Sequence, residues 1–185
     1  MRRSLAPFVV LMLVTALAVA TPAHECEPTA RPSALLSIPG ARIPVDGVLS
    51  GGQPSPEQIE AAAASGFGTV INLRVDQEPG FEWEAETVTG LGMRYVSIPV
   101  AGSKGLSLEN VRRLDAALSE AAAAGPVLLH CASGNRIGAI LALRAAWLHD
   151  VEAEAAIAHG LANGMTRLEP VVRELLEVES EASVQ

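Results

Sequence analysis

Apolar positions along this chain change period repeatedly, and each change marks a predicted element. Val127-Leu-Leu129 is a short apolar run bounded by Gly125-Pro126 and by His130. It is too short for a helix and suits a strand buried on both faces. Directly after it, Ile137, Ile140, Leu141, Arg144, Trp147 and Leu148 recur at helical spacing. The same alternation runs upstream. Residues 45–49, 68–74 and 93–100 read as strands, the middle one rich in β-branched residues. Ser55-Pro-Glu-Gln predicts a helix start, with Ser as N-cap and Pro in the first helical position, running to about Ser65 and stopping at Gly66. Residues 81–89 predict a helix ending near Gly90. Ser107 caps another that reaches about Ala124, with Leu108, Val111, Leu114, Ala117 and Leu118 on one face. Segments 151–161 and 167–179 predict two more, separated by Gly164, with Pro170 in the first turn of the second. Residues 101–105 read as a flexible loop, and 180–185 as a frayed tail. Strands alternating with helices predict an α/β domain with a mostly parallel sheet covered on both faces.

The first 44 residues do not fit that rhythm. Arg2 and Arg3 precede a 13-residue apolar stretch, 8–20, and small residues follow at Ala18-Val-Ala20 and Thr21-Pro-Ala23. This is the pattern of a signal peptide, residues 1–23, cleaved after Ala20 or Ala23. The alternative, a retained membrane anchor, is disfavoured because a span needs about 20 apolar residues. Residues 24–44 carry Pro28, Pro32, Pro39 and Pro44 and read as an extended leader, so the domain proper is expected over 45–179. The mature chain is then expected to be periplasmic or secreted.

Charge narrows the partners. The whole chain carries a formal net charge of −8, and loss of residues 1–23 removes two arginines and no acid, giving −10. Lys104 is the single lysine. A chain this acidic is a poor ligand for nucleic acid or anionic membrane, and neither is expected as a partner. His24, His149 and His159 have no metal-ligand spacing, so neither metal nor other cofactor is expected.

The loop 131–136 concentrates the candidate chemistry. It lies between a strand's C-terminal end and a helix N-terminus, where ligands bind in open α/β sheets. Its backbone N–H groups can form an anion nest, with the helix dipole adding positive potential. Cysteines placed at helix N-termini or beside cations ionise more readily than free thiols, and the thiolate is the nucleophile. Arg136 offers a planar fork for two oxygens of a phosphate. His130 has two readings, a hydrogen-bonded core histidine or a group that tunes the thiol.

His130-Cys131-Ala-Ser-Gly-Asn-Arg136-Ile-Gly138 resembles the signature loop of the cysteine-dependent phosphatase superfamily. Within it the chain is most similar to a bacterial branch of tyrosine-phosphatase-like proteins, which includes the phosphatase-like domain of beta-lactamase hydrolase-like proteins. The likeness extends through Ser50-Gly-Gly-Gln-Pro-Ser-Pro56, Gly66-Phe-Gly-Thr-Val-Ile-Asn-Leu-Arg74 and Tyr95-Val-Ser-Ile-Pro99, and covers about residues 45–148. It implies a three-layer α/β/α domain with four or five strands and the Cys131 loop at the sheet's C-terminal edge. It also implies a metal-free, two-step hydrolysis of a phosphorylated protein or small molecule. Cys131 would be nucleophile, Arg136 the charge clamp, and Ala132, Ser133, Gly134, Asn135, Arg136 and Ile137 the phosphate cradle.

Three departures stand out. Only four residues separate Cys131 from Arg136, one fewer than in most of the superfamily and as in rhodanese sulfurtransferases. Ile137 stands where most such phosphatases have Ser or Thr. The loop 100–105, where relatives carry a general-acid Asp, has no carboxylate. Asp76, with Glu78 and Glu82 of the same loop, is a candidate proton donor, the alternative being that this is simply a solvated acidic loop. The alternatives to a phosphatase are a rhodanese-like sulfurtransferase or persulfide carrier on Cys131, and a phosphoryl-binding module with a degraded site. Cys26 and Cys131 are the two cysteines. In an oxidising compartment the alternatives for Cys26 are reversible pairing with Cys131, a stray thiol, or pairing between molecules.

Overall fold

The computed structural model describes residues 37–182, with side chains to residue 177. The predicted signal peptide, most of the leader, Cys26 with its suggested pairing, and residues 183–185 lie outside the described residues.

Four strands form one sheet: β1 (Val48–Gly51), β2 (Thr69–Asn72), β3 (Arg94–Ser97) and β4 (Val127–His130). Their order is β1-β4-β2-β3, and every pairing is parallel. The last strand in sequence is thus inserted between the first two. Leu128 sits opposite Leu49 on one side and Val70 on the other. That register sorts side chains by parity. Leu49, Val70 and Leu128 pack with Ile59, Ala62 and Val88 in one cluster, from α1 (Pro56–Ala64) and α2 (Glu84–Gly90). Val48, Ile71, Val127 and Leu129 face the other way. There they meet Val111 and Leu114 of α3 (Leu108–Ala121) and Ile137, Ile140 and Leu141 of α4 (Asn135–His149). Helices α5 (Ala153–Ala162) and α6 (Glu169–Ala182) extend that second layer. The domain is a three-layer α/β/α sandwich. Each large aliphatic side chain buried in it contributes roughly 1.5–3 kcal/mol of transfer free energy.

Local signals place the helices. Ser55 accepts from the Gln58 amide while the Gln58 side chain accepts from the Ser55 amide, closing a capping box ahead of Pro56. Ser107 accepts from the Asn110 amide at the start of α3. Helices α4 and α5 cross where both present glycine. A Cβ on Gly138 would stand 2.4 Å from the Gly160 carbonyl oxygen, and one on Gly160 would stand 2.7 Å from the Gly138 oxygen. No side chain fits there, so the two backbones touch.

Two expectations change. The predicted leader ends before residue 38: Ile38 is buried in the α1–α2 cluster, and Arg42 pairs antiparallel with Ser50 along β1. The short β1 needs that cover on its outer edge. Residues 101–105 are not a flexible loop. Gly102–Gly105 forms a 3-10 turn, held by Asn110 Nδ2, which donates to the carbonyls of Pro99 and Gly105.

Candidate active site

The loop after β4 is built on one left-handed residue. Gly134 has φ +88° and stands as N-cap of α4, a conformation other residues adopt only with strain. This turn aims its own amide back at the sulfur, and Gly134 N donates to Cys131 Sγ at 3.1 Å. Gly52 bridges to Ser133 and Cys131 N donates to Gly51 O, so β1 supports the loop from outside. Cys131 is buried. The side chain of Ile137 is fully buried in the core, so any part it takes in a cradle is through its backbone. The Asn135 side chain turns away from the loop and accepts from Thr166 N, Thr166 Oγ1 and Leu168 N.

Arg136, in the first turn of α4, is held by Glu78. Its Nη1 and Nη2 donate to Glu78 Oε1 and Oε2 at 2.5 and 2.8 Å, and Nη1 also meets the carbonyls of Leu73 and Val100. Burial opposes the guanidinium charge, but the Glu78 hydrogen bonds and the neighbouring sulfur more than offset it. Glu78 is fixed in turn. Its carboxylate accepts from Val75 N and Arg74 Nε, and Arg74 is anchored to Gln53 Oε1 and Pro79 O and stacked over Phe81 at 4.7 Å. The Arg136 hydrogen bonds hold the Glu78 carboxyl down at about 2. Both Glu78 oxygens are engaged by Arg136, Arg74 and the Val75 amide, so its role here is to hold Arg136 and not to face a leaving group.

That depressed value makes a stability prediction. The ordinary carboxyl value is 4.5 and the folded one about 2. The Glu78–Arg136 contribution is therefore complete above about pH 4.5 and lost as pH falls through about 2. Glu78→Gln should lower Tm relative to the parent at pH 5 and above, and the gap should close progressively between pH 4.5 and 2. A gap that stayed constant over that range in thermal melts would contradict the pairing.

Behind Cys131 lies a buried polar cluster. His130 faces the α1–α2 side of the sheet, as Leu128 does, and both it and Glu84 are fully buried. His130 Nε2 lies 2.9 Å from Glu84 Oε1 but outside hydrogen-bond geometry. Gln53 Nε2, Asn72 Nδ2 and Tyr95 Oη donate to the same carboxylate at 3.3, 3.0 and 3.4 Å. A buried carboxylate is tolerated only with such partners. Burial, with Glu84 adding to it, pushes the Tyr95 phenol up to about 12, so it stays neutral and can donate.

Beside the loop opens a cleft of about 420 Å³ lined by Glu78, Gly102, Ala132, Ser133, Asn135, Arg136, Arg167 and Leu168; Cys131 lies beneath it, buried, and is not among the lining residues. A depression of about 470 Å³ elsewhere, lined by Leu106, Ser107, Trp147, Val171 and Leu175 among others, includes no residue of the Cys131 loop. Asp76 and Glu82 are on the same loop as Glu78 but do not line the cleft. Asp76 is exposed, and the Glu82 carboxylate accepts from Gly80 N. Trp83 packs against the α1–α2 cluster. Sequence reasoning missed Glu84, Asn72, Tyr95 and Arg167. The signal for Glu84 was present: with Val88 at i+4 it lies on the buried stripe of α2.

The family described as "Beta-lactamase hydrolase-like protein, phosphatase-like domain" matches residues 45–147, from before β1 to the last turns of α4. The chain belongs to that family. Two curated relatives are beta-lactamase hydrolase-like proteins. One, from Agrobacterium fabrum strain C58, is 35% identical over 89 residues, 46% of this chain and 20% of its own length. The other, from Xylella fastidiosa strain Temecula1, is 32% identical over 96 residues, 50% of this chain and 22% of its own length. The chain thus spans about a fifth of the length of these relatives. Among solved structures, a candidate phosphatase (DUF442) from Shewanella putrefaciens CN-32 is 26% identical, with TM-score 0.61, covering 78% of this chain and 91% of its own. The active form of Tk-PTP is 21% identical with TM-score 0.56, covering 75% and 97%, a likeness of fold.

Proposed function

We propose that this protein is an exported, cysteine-dependent phosphatase that hydrolyses phosphate monoesters through a phosphocysteine intermediate. The observation that carries the reading is the Cys131 loop. Its sulfur accepts the Gly134 amide, and the Arg136 guanidinium is locked by Glu78 beside it. Glu78 takes the Nη1 and Nη2 end of Arg136, which leaves Nε free of carboxylate for the equatorial oxygens of a phosphoryl group. Cys131 attacks phosphorus as the thiolate, an S–P bond forms, and the P–O ester bond breaks. The departing oxygen takes a proton. Water then adds to the phosphocysteine, the S–P bond breaks, and inorganic phosphate leaves the regenerated thiolate. Fixed amides and the guanidinium face charge on the three oxygens in both steps. Ile137 offers no hydroxyl to assist the departing sulfur, so the second step is the slower one for activated esters.

The deciding experiment sets an aryl phosphate beside thiosulfate plus cyanide. Release of phosphate without thiocyanate supports this reading, and thiocyanate production would overturn it in favour of sulfur transfer. Export rests on residues 1–23 and is checked by fractionation, which should recover a shortened chain outside the cytoplasm.

Asp76, exposed on the loop that carries Glu78 and outside the lining of the cleft, is the proposed donor of the leaving-group proton, a role that requires this loop to bring it to the bound ester. Glu78 on the same loop is engaged by Arg136 and Arg74, whereas Asp76 has no salt-bridge partner among the described residues. Asp76→Asn should slow hydrolysis of alkyl phosphates by about 10²-fold or more and that of aryl phosphates with acidic leaving groups far less, since only the former need protonation. Equal slowing of both, or of neither, would remove Asp76 from the role.

A further inference from the structure

The rim of the cleft carries positive charge that the reaction described above does not use. Among the described residues, Arg74, Arg94, Arg136, Arg144 and Arg173 are each paired with a carboxylate. Arg167 and Arg42 are not, nor are Lys104, Arg112 and Arg113, but of these five only Arg167 lines the cleft. Arg167 lines the same cleft as Arg136. Its place there is fixed from both sides. Asn135, one residue before Arg136, accepts from Thr166 N and Thr166 Oγ1 and from Leu168 N, so the residues flanking Arg167 are tied to the nucleophile loop. Arg42 lies across the two turn glycines of the region. Its Nη1 donates to Gly40 O, and a Cβ would stand 3.1 Å from it at Gly164 and 3.9 Å at Gly134.

Arg167 therefore shares the cleft with Arg136, and Arg42 reaches the turn glycines Gly134 and Gly164 beside it. Arginine is the side chain best matched to a second set of phosphoryl oxygens, through its planar fork. In a chain of net charge −8, such unpaired cations raise the local anion concentration only at short range. Asn135, which one would expect to face a bound phosphate, is used instead to hold Arg167 in place.

We infer that the cleft has a second anion subsite at Arg167, supported by Arg42, and that the preferred substrate is a bisphosphorylated ester, one phosphoryl group at Cys131 and the other at Arg167. This rests on the proposed phosphatase reading for the first group only. The second group is bound and not cleaved, so it contributes through affinity.

The test measures binding, which keeps it separate from turnover. Full-length Cys131→Ser protein is titrated calorimetrically with phenyl phosphate and with the 1,2-, 1,3- and 1,4-phenylene bisphosphates. At least one bisphosphate should bind about tenfold or more tighter than phenyl phosphate at low salt, the increment of one added charge-assisted contact. The preference should shrink at higher ionic strength. Adding Arg167→Ala should bring the ratio close to one, while Arg112→Ala, on the exposed face of α3, should leave it in place. Arg167 is exposed, so its removal leaves the core intact. Bisphosphates that bind no better than phenyl phosphate, a preference that survives Arg167→Ala, or no binding of either ligand would overturn the subsite. A preference that is present and Arg167-dependent, in a parent protein that hydrolyses none of the four esters, would sink the phosphatase reading and leave the subsite standing.

Discussion

Cys131→Ser should abolish phosphate release, by about 10⁴-fold or more, while inorganic phosphate still binds. The two effects separate because they have different origins. In the proposed mechanism binding rests on the loop amides and Arg136, and the Gly134 turn and the Glu78 clamp that shape them do not involve the sulfur's charge. The Gly134 amide that donates to Sγ at 3.1 Å can donate equally to a serine hydroxyl. Turnover needs a group that is anionic before attack. A serine hydroxyl is not, and no base has been identified to take its proton. His130 is the nearest histidine in sequence, and it is turned into the buried cluster with Glu84. The paired measurement is single-turnover hydrolysis of an aryl phosphate and phosphate titration of the same sample. Retention of most of the hydrolysis would rule out a phosphocysteine route, and loss of both would mean that the substitution collapses the loop.

Arg136→Lys comes second, with an expected loss of roughly 10²-fold or more in kcat/KM, the scale of removing one preorganised donor from a transition state. Lysine keeps the charge but loses the fork. The present contacts show why that matters. Nη1 and Nη2 are committed to Glu78, and Nη1 further to Leu73 O and Val100 O, so only a guanidinium can satisfy these partners and still present Nε. An ammonium drawn to Glu78 would be withdrawn from the loop. Activity close to the parent's would make Arg136 a structural tie between α4 and the loop after β2.

The sequence is informative where the physics is local. The caps at Ser55 and Ser107, the strand 127–129 and the turn before α4 depend on neighbours a few residues away, and each stands within a residue or two of its expected place. The helix predicted over 81–89 begins three residues later. Phe81 is taken up by Arg74 stacking, and its carbonyl closes a turn onto the Glu84 amide. The polar wiring of the site could not be read because it depends on strand order. Glu78 and Arg136 are 58 residues apart, and they meet only because β4 inserts beside β2. The same insertion sets His130 beside Asn72 in register, and so beside Glu84. Composition could show that acids were plentiful between residues 76 and 86; it could not say which faced inward.

The glycine contact between α4 and α5 bears on how far this site can be treated as a module. Arg136 lies two residues before Gly138 in the chain, and Arg167 seven residues after Gly160. Because the two backbones touch there, the helix that follows the loop packs directly on the helix that leads to Arg167 in the cleft. The matched region at 45–147 ends before α5 begins. A transplant of that region alone onto another scaffold would carry the nucleophile and its clamp but leave Gly138 facing solvent, with nothing to index the opposite wall. The smallest portable unit is therefore the matched region together with α5 and the turn to Leu168, and a chimera cut at residue 147 should keep the chemistry of the loop while losing its choice of substrate.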